Sequence, residues 1–195
     1  NTQVDVDMIE TADPDAVVVA TGAKPRTPLD LEIDEQAHAL DAWQVLQNSS
    51  GVGQSVVIAD WRCDWVGIGL AELLATAGRH VRLAVNGLHA GELLPFYTRD
   101  IAVARLHSLG VEIIPYMRLY GCDADDAYFL HAASGEPVVM ENVNSLILAH
   151  GHEPESQLFD TLRERGIAAT AVGDCLGARS AEEAVLEGLR AGWSL

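Results

Sequence analysis

The chain alternates short, mostly apolar runs with longer stretches in which apolar positions recur every three to four residues. Ala16-Val-Val-Val-Ala20, Ser55-Val-Val-Ile-Ala59, His80-Val-Arg-Leu-Ala-Val85, Val111-Glu-Ile-Ile114, Ser145-Leu-Ile-Leu-Ala149 and Ala168-Ala-Thr-Ala-Val172 are too short for helices. Their apolar, largely β-branched content predicts buried strands of a parallel sheet. Residues 66–77, 99–109 and 181–191 carry helical spacing, and a shorter helix is predicted around 40–47. Gly78 and Gly110 stand where the first two long helices should end. Glu182 and Glu183 place negative charge in the first turn of the last, as the helix dipole favours. Residues 55–85 thus read as one β-α-β unit. A right-handed crossover makes its strands parallel neighbours and sets the 60–65 loop at the carboxyl edge, where ligands of such sheets bind.

Between residues 118 and 140 the pattern changes. Tyr128-Phe-Leu-His131 and Pro137-Val-Val-Met140 are short alternating runs, set off by Asp123-Ala-Asp-Asp126 and Ser134-Gly135, which predicts an antiparallel meander. Lys24-Pro-Arg-Thr-Pro28 reads as a proline-punctuated connector. Two stretches also resemble each other: Asp15-Ala-Val-Val-Val-Ala-Thr-Gly-Ala-Lys-Pro25 and Asn144-Ser-Leu-Ile-Leu-Ala-His-Gly-His-Glu-Pro154. Each is a strand, then Ala-x-Gly, then a proline three residues on.

With 195 residues, 49% of them hydrophobic, the chain can bury a sizeable core as one domain or two small ones. Its 29 acidic and 12 basic residues give a formal charge of -17, spread along the sequence, which makes nucleic acid a poor candidate partner, and none is expected. No apolar run approaches the roughly 18 to 20 residues of a membrane span, and the first residues lack the order of a signal peptide. A cytoplasmic location with no membrane partner is expected. Cys63, Cys122 and Cys175 are far apart, so neither a disulfide framework nor a metal or cluster ligand set can be assembled from them. No metal-binding set of histidines and carboxylates is evident in the sequence around His150-Gly-His152, no metal ligands are assigned, and no nucleophile-base arrangement marks a catalytic residue. The chain opens without Met in a polar stretch and reads as a piece of something longer.

Taken together, the paired strand-Ala-x-Gly segments and the late Gly173-Asp174 followed by a helix resemble flavoproteins with two nested dinucleotide-binding domains. The phrase Leu70-Ala-Glu-Leu-Leu-Ala-Thr-Ala-Gly78 followed by His80-Val resembles most the C-terminal nucleotide-binding region of the trimethylamine dehydrogenase and 2,4-dienoyl-CoA reductase family of NADH:flavin oxidoreductase-like proteins. That resemblance implies an α/β fold, a Rossmann-like parallel sheet with an antiparallel meander inserted into a split second Rossmann-like domain. Residues 1–37 and 152–195 would form a partial FAD- or ADP-binding domain whose first β-α-β unit is missing. Residues 38–151 would form an inserted, degenerate NAD(P)-binding-like domain.

The same resemblance identifies site residues. A tight turn at Gly173-Asp174 offers an acidic acceptor for sugar or ribityl hydroxyls, and family likeness turns Asp174 toward the flavin. Ala20, Thr21 and Gly22 would pack beside that cofactor, glycine allowing close backbone approach. In the insert, family spacing makes Gly67 the last fingerprint glycine, so Arg62 and Asp64 stand where the two earlier glycines belong; a second register would start the motif at Gly67-x-Gly69. Arg62 and Asp64 would fill the phosphate volume, and Val85-Asn86-Gly87 lacks the acid or arginine that anchors adenosine ribose. Trp61 and Trp65 are expected to plug the vacated cleft.

The function implied is part of a flavin-dependent oxidoreductase of amine dehydrogenase or N-demethylase type, inactive as the fragment alone. FAD or ADP would lie in the split domain, with FMN and a 4Fe-4S cluster upstream. The partners implied are an upstream barrel domain of the same protein, an electron-transfer flavoprotein acceptor and further copies of the chain in a homo-oligomer. Two alternatives stand beside it: an NAD(P)H-dependent flavin reductase resembling dienoyl-CoA reductase, and a cofactor-free interaction module.

Overall fold

The computed structural model describes residues 2–195. In chain order the elements are α1 (Val6–Ala12), β1 (Val17–Val19), β2 (Ala23–Pro25), β3 (Glu32–Ile33), β4 (Ala39–Asp41) and α2 (Ala42–Gln47). After a 3-10 turn at Ser49–Gly51 come β5 (Ser55–Asp60), α3 (Trp65–Thr76), β6 (His80–Val85), α4 (Phe96–Ser108) and β7 (Glu112–Ile114). They are followed by β8 (Met117–Cys122), β9 (Ala127–His131), β10 (Pro137–Met140), β11 (Ser145–Ala149) and β12 (His152–Pro154). Helix α5 (Gln157–Glu164), β13 (Ala169–Ala171), a 3-10 turn at Gly173–Cys175 and α6 (Ala181–Trp193) complete the chain. Among the described residues no helix is long and apolar enough to cross a membrane.

The elements divide into two compact units: the chain up to Arg26 with His152–Leu195, and Thr27–Gly151. In the second, five parallel strands form a sheet in the order β4-β11-β5-β6-β7. Successive residues of a strand face opposite sides of a sheet, and the core records this. Val56 and Ile58 of β5, Leu83 of β6 and Ile147 of β11 join Leu70 and Leu74 of α3 and Leu106 of α4 in one apolar cluster. Val57, Ala59, Ala84 and Leu146 face the other way, onto Met117, Leu119, Phe129 and Met140 of a second sheet. That sheet has the order β10-β9-β8-β3, antiparallel except for the parallel pair β3 and β8. The continuous apolar runs are therefore covered on both faces, by helices on one and by the meander on the other.

In the first unit β1 and β13 are parallel, with Val19 opposite Ala171. Here Val6, Val19, Leu162, Ala171 and Cys175 share a small core. Helices α1 and α5 are additions to what periodicity predicts. The first is only seven residues long and starts on a cap, the Asp5 carboxylate accepting from Met8 N–H at 2.9 Å. The second turns Leu162 inward from a largely polar sequence. The predicted connector at residues 24–28 is partly strand: β2 pairs antiparallel with β12, His152 opposite Pro25 and Pro154 opposite Ala23. The tails of the two look-alike segments thus bond to each other. Proline is tolerated there because this is a two-stranded pair in which each strand keeps an open edge.

A close approach holds β3 against the meander. A Cβ on Gly121 would lie 2.2 Å from the backbone oxygen of Glu32. Substituting Gly121→Ala should therefore lower stability by about 1–3 kcal/mol, as overpacking against rigid backbone does. Urea unfolding measures it, and an unchanged midpoint would show that β3 is not held at that distance.

Candidate functional site

Parallel strands present their carboxyl ends, and the turns that follow, on one edge of a sheet, the usual place for ligands in α/β folds. In the first unit that edge is built from two turns. Val19 and Ala171 are register partners, and Val172 N–H donates to the Val19 carbonyl at 3.0 Å. The buried Cys175 thiol donates to the same carbonyl at 3.0 Å. Ala20, Thr21 and Gly22 leave β1 beside Gly173 and Asp174 leaving β13, so the five residues singled out in the sequence come from neighbouring strand ends. Ala20, Thr21 and Asp174 are exposed. Gly22 has φ 80° and Gly173 φ 67°, the left-handed region where a side chain is disfavoured.

Several polar groups of these turns already have partners. Thr21 Oγ1 donates to the Glu155 carbonyl, and Glu155 N–H donates back to the Gly22 carbonyl at 2.9 Å. Gly173 N–H donates to Glu187 Oε2 at 2.8 Å, and the other oxygen of Glu187 is paired with the Arg179 guanidinium. Helix α6 carries its own capping box, Ser180 with Glu183. Glu187 and Arg179 carried no signal in the sequence. A glutamate two turns into a helix reads as surface until the fold sets it behind the turn.

The corresponding edge of the second unit follows β5 and is differently made. Asp60 ends the strand at 1% exposure; its Oδ1 accepts Cys63 N–H at 2.8 Å, while its Oδ2 is buried without a hydrogen-bond partner. A Cβ on Gly67 would lie 2.2 Å from that Oδ2. The glycine expected to clear room for a dinucleotide clears room for the Asp60 carboxyl. Helix α3 begins at Trp65 with Asp64 as its cap, accepting from Val66 N–H at 2.9 Å. Arg62 lies 3.5 Å from Asp64 and packs its stem against Gly151. At the end of β6, Leu88 N–H donates to Glu92 Oε2 at 3.0 Å.

Trp61 and Trp65 do not plug this edge as expected. Trp61, 39% exposed, stacks on His150 with ring centroids 6.2 Å apart, and Trp65, 60% exposed, projects from the first helical residue. The Asp60 carboxyl lies in the slot that Gly67 leaves open, and Asp64 caps the helix.

Burial pushes the Asp60 carboxyl up to about 7, and the nearby Asp64 charge adds to the shift. Burial, with the Asp60 charge behind it, also raises the Cys63 thiol to about 11, so the thiol stays protonated at neutral pH. A carboxyl whose folded pKa lies above its unfolded value contributes stability in full below about pH 4 and loses it as pH rises toward 7. The loss from this group is on the order of 2–4 kcal/mol. Asp60→Asn, neutral throughout, should gain on the wild type by that amount between pH 4 and pH 8 in denaturant unfolding. A difference that does not change with pH would mean that Asp60 is not held uncharged.

No family model matches the chain. A bilirubin reductase from Mediterraneibacter gnavus is 30% identical over 174 residues, which is 88% of this chain and 26% of that protein. A probable N-methylproline demethylase from Rhizobium meliloti is 29% identical over 120 residues, 60% of this chain and 15% of that protein. The chain thus spans about a quarter or less of these curated relatives. Among solved structures, histamine dehydrogenase from Rhizobium sp. 4-9 superposes on all of the chain with a TM-score of 0.91 at 20% identity, over 32% of its own length. The sequence matches show likeness to part of a reductase and of a demethylase, and the structural match carries the fold: the chain is similar to a portion of these enzymes and shares with histamine dehydrogenase a mixed α/β fold of parallel and antiparallel sheets.

Proposed function

We propose that the chain is the nucleotide-holding scaffold of a flavin-dependent oxidoreductase of amine dehydrogenase or N-demethylase type. The observation that carries the proposal is the contrast between two strand-end edges. In the first unit the turns after β1 and β13 leave Asp174 exposed, and a Cβ at Gly22 would meet nothing within 4 Å. An adenine dinucleotide fits that edge: Asp174 would accept from sugar or ribityl hydroxyls, and Gly22 would let the backbone come close. When bound as FAD, the group supplies electron-carrying chemistry; as ADP it anchors only. The chain's own part is to position it. The Glu187 bond to Gly173 N–H holds the turn from behind, and Cys175 pins it to β1.

The edge of the second unit does not fit a nicotinamide dinucleotide. Its helix N-terminus is capped by Asp64, its glycine slot holds Asp60, and the turn after β6 is closed by Glu92. Pyrophosphate brought there would meet the Asp64 and Glu92 carboxylates, with the Arg62 guanidinium 3.5 Å from Asp64 to offset part of their charge. We read this edge as a vestigial nicotinamide site, kept for packing. Electrons would then leave for a protein acceptor such as an electron-transfer flavoprotein, and the amine, the FMN and the 4Fe-4S cluster belong to an upstream barrel. An assembly of several copies and a cytoplasmic setting complete the proposal.

Amide chemical shifts test it directly. ADP or FAD added to the labelled chain should perturb residues 20–22 and 173–174 and leave 60–67 unmoved, and Asp174→Asn should weaken that response about tenfold. Perturbation of 60–67 by NADPH would favour the NAD(P)H-dependent reductase. Silence at both edges with every nucleotide would favour a cofactor-free interaction module.

A further inference from the structure

The meander has a second face that the core does not use. Its inner side chains, Met117, Leu119, Ala127, Phe129 and Met140, are buried against the parallel sheet. On the opposite face, Val139 lies across from Tyr128, Tyr128 from Gly121, and Gly121 from Glu32, one row running over all four strands. Pairing slips between Leu119 and Gly121, and this bulge turns Tyr120 into the same row. The result is a groove of about 620 Å³ lined by Glu32, Asp34, Tyr120, Tyr128, Leu130 and Val139 among others. Tyr120 and Val139 are each 50% exposed.

The polar groups in this groove have one sign. Tyr120 OH donates to Glu32 Oε1 at 3.4 Å, and Tyr128 OH to Asp123 Oδ2 at 2.5 Å. The Asp123 carboxylate drives the Tyr128 hydroxyl up to about 12, so that ring stays neutral. Arg118 stands in the neighbouring row, opposite Leu130, and does not line the groove. Two aromatic rings with their edges fixed by carboxylates, above an aliphatic floor, match one class of small ligand. A cation is drawn to a tyrosine face and to carboxylates alike, and an apolar body is drawn to the floor. An anion would find no cation among the groove's lining residues, Arg118 standing one row away.

We propose that the groove binds an organic ammonium cation. Its substituted nitrogen would rest on the Tyr120 ring within reach of Glu32 and Asp34, and its apolar part would lie along Tyr128, Leu130 and Val139. The site belongs to the second unit alone and is independent of the nucleotide edge. Benzyltrimethylammonium chloride, titrated at low ionic strength into the full chain and followed by amide and tyrosine-ring NMR shifts, should bind saturably with shifts confined to residues 32–34, 120–122, 128–130 and 137–139. Benzenesulfonate, with a similar ring and the opposite charge, should not bind. Glu32→Gln and Tyr120→Leu should each weaken the cation about three- to tenfold, and Tyr120→Phe, which keeps the ring, should retain it. Equal binding of cation and anion, no saturable binding of the cation, or unchanged affinity in both weakening variants with circular dichroism intact would each overturn the proposal.

Discussion

Strand β5 is the constraint from which the second unit is built. Val56, Val57 and Ile58 are wholly buried, one face on helices and the other on the meander, with β11 and β6 bonded along its two edges. Nothing in that position can tolerate polarity except at its last residue, where the strand leaves the core. Asp60 occupies that residue. It is one carboxyl after four buried apolar residues, Val56 to Ala59, packed into the slot that Gly67 leaves open. The loop that follows, the start of α3 and the turn after β6 are all arranged around it, since Cys63 N–H binds its side chain and Asn86 N–H its backbone carbonyl.

The turns that end the parallel strands are supported differently in the two units. Each ends a parallel strand in a turn on the carboxyl edge. In the first, the struts that fix the turn come from behind, from Glu187 and Cys175, and the front of the turn keeps an exposed acid. In the second, the struts come from the front, from Asp60 and Asp64, so the edge is consumed by its own support. A carboxylate can satisfy a helix N-terminus from within the chain as readily as a phosphate can from outside it. Which of the two occurs is decided by a few side chains that leave strand and helix unchanged.

This explains what could be read from the residues and what could not. The runs at residues 55–59 and 145–149 announce strands because burial on both faces demands apolarity, the run at 16–20 does so by its β-branched content although Val18 is exposed, and the helix before Gly78 announces itself by its spacing. Arg62 and Asp64 stand out in the sequence because the motif leaves glycine no substitute at those positions. Helix α1 was missed because seven residues with one buried side chain carry almost no periodic signal. The pairing of β2 with β12 was missed because Lys24-Pro25 and Glu153-Pro154 look like connectors, and only their meeting makes them strands. Trp61 and Trp65 were misplaced because aromatic size suggests filling, whereas their positions at a loop and a helix start turn them outward. The roles of Asp60 and Glu187 depend on long-range packing, which no local pattern encodes.

The three cysteines, too far apart in sequence for a disulfide framework or ligand set, have a further consequence. Cys63 sits in the helix-side core, Cys122 in the meander core and Cys175 in the core of the first unit, all buried and reduced. A thiol of this kind reacts with a probe only when the structure around it opens. The chain therefore carries one chemical clock in each of its three apolar cores, and their separate rates would tell which part of the molecule breathes first.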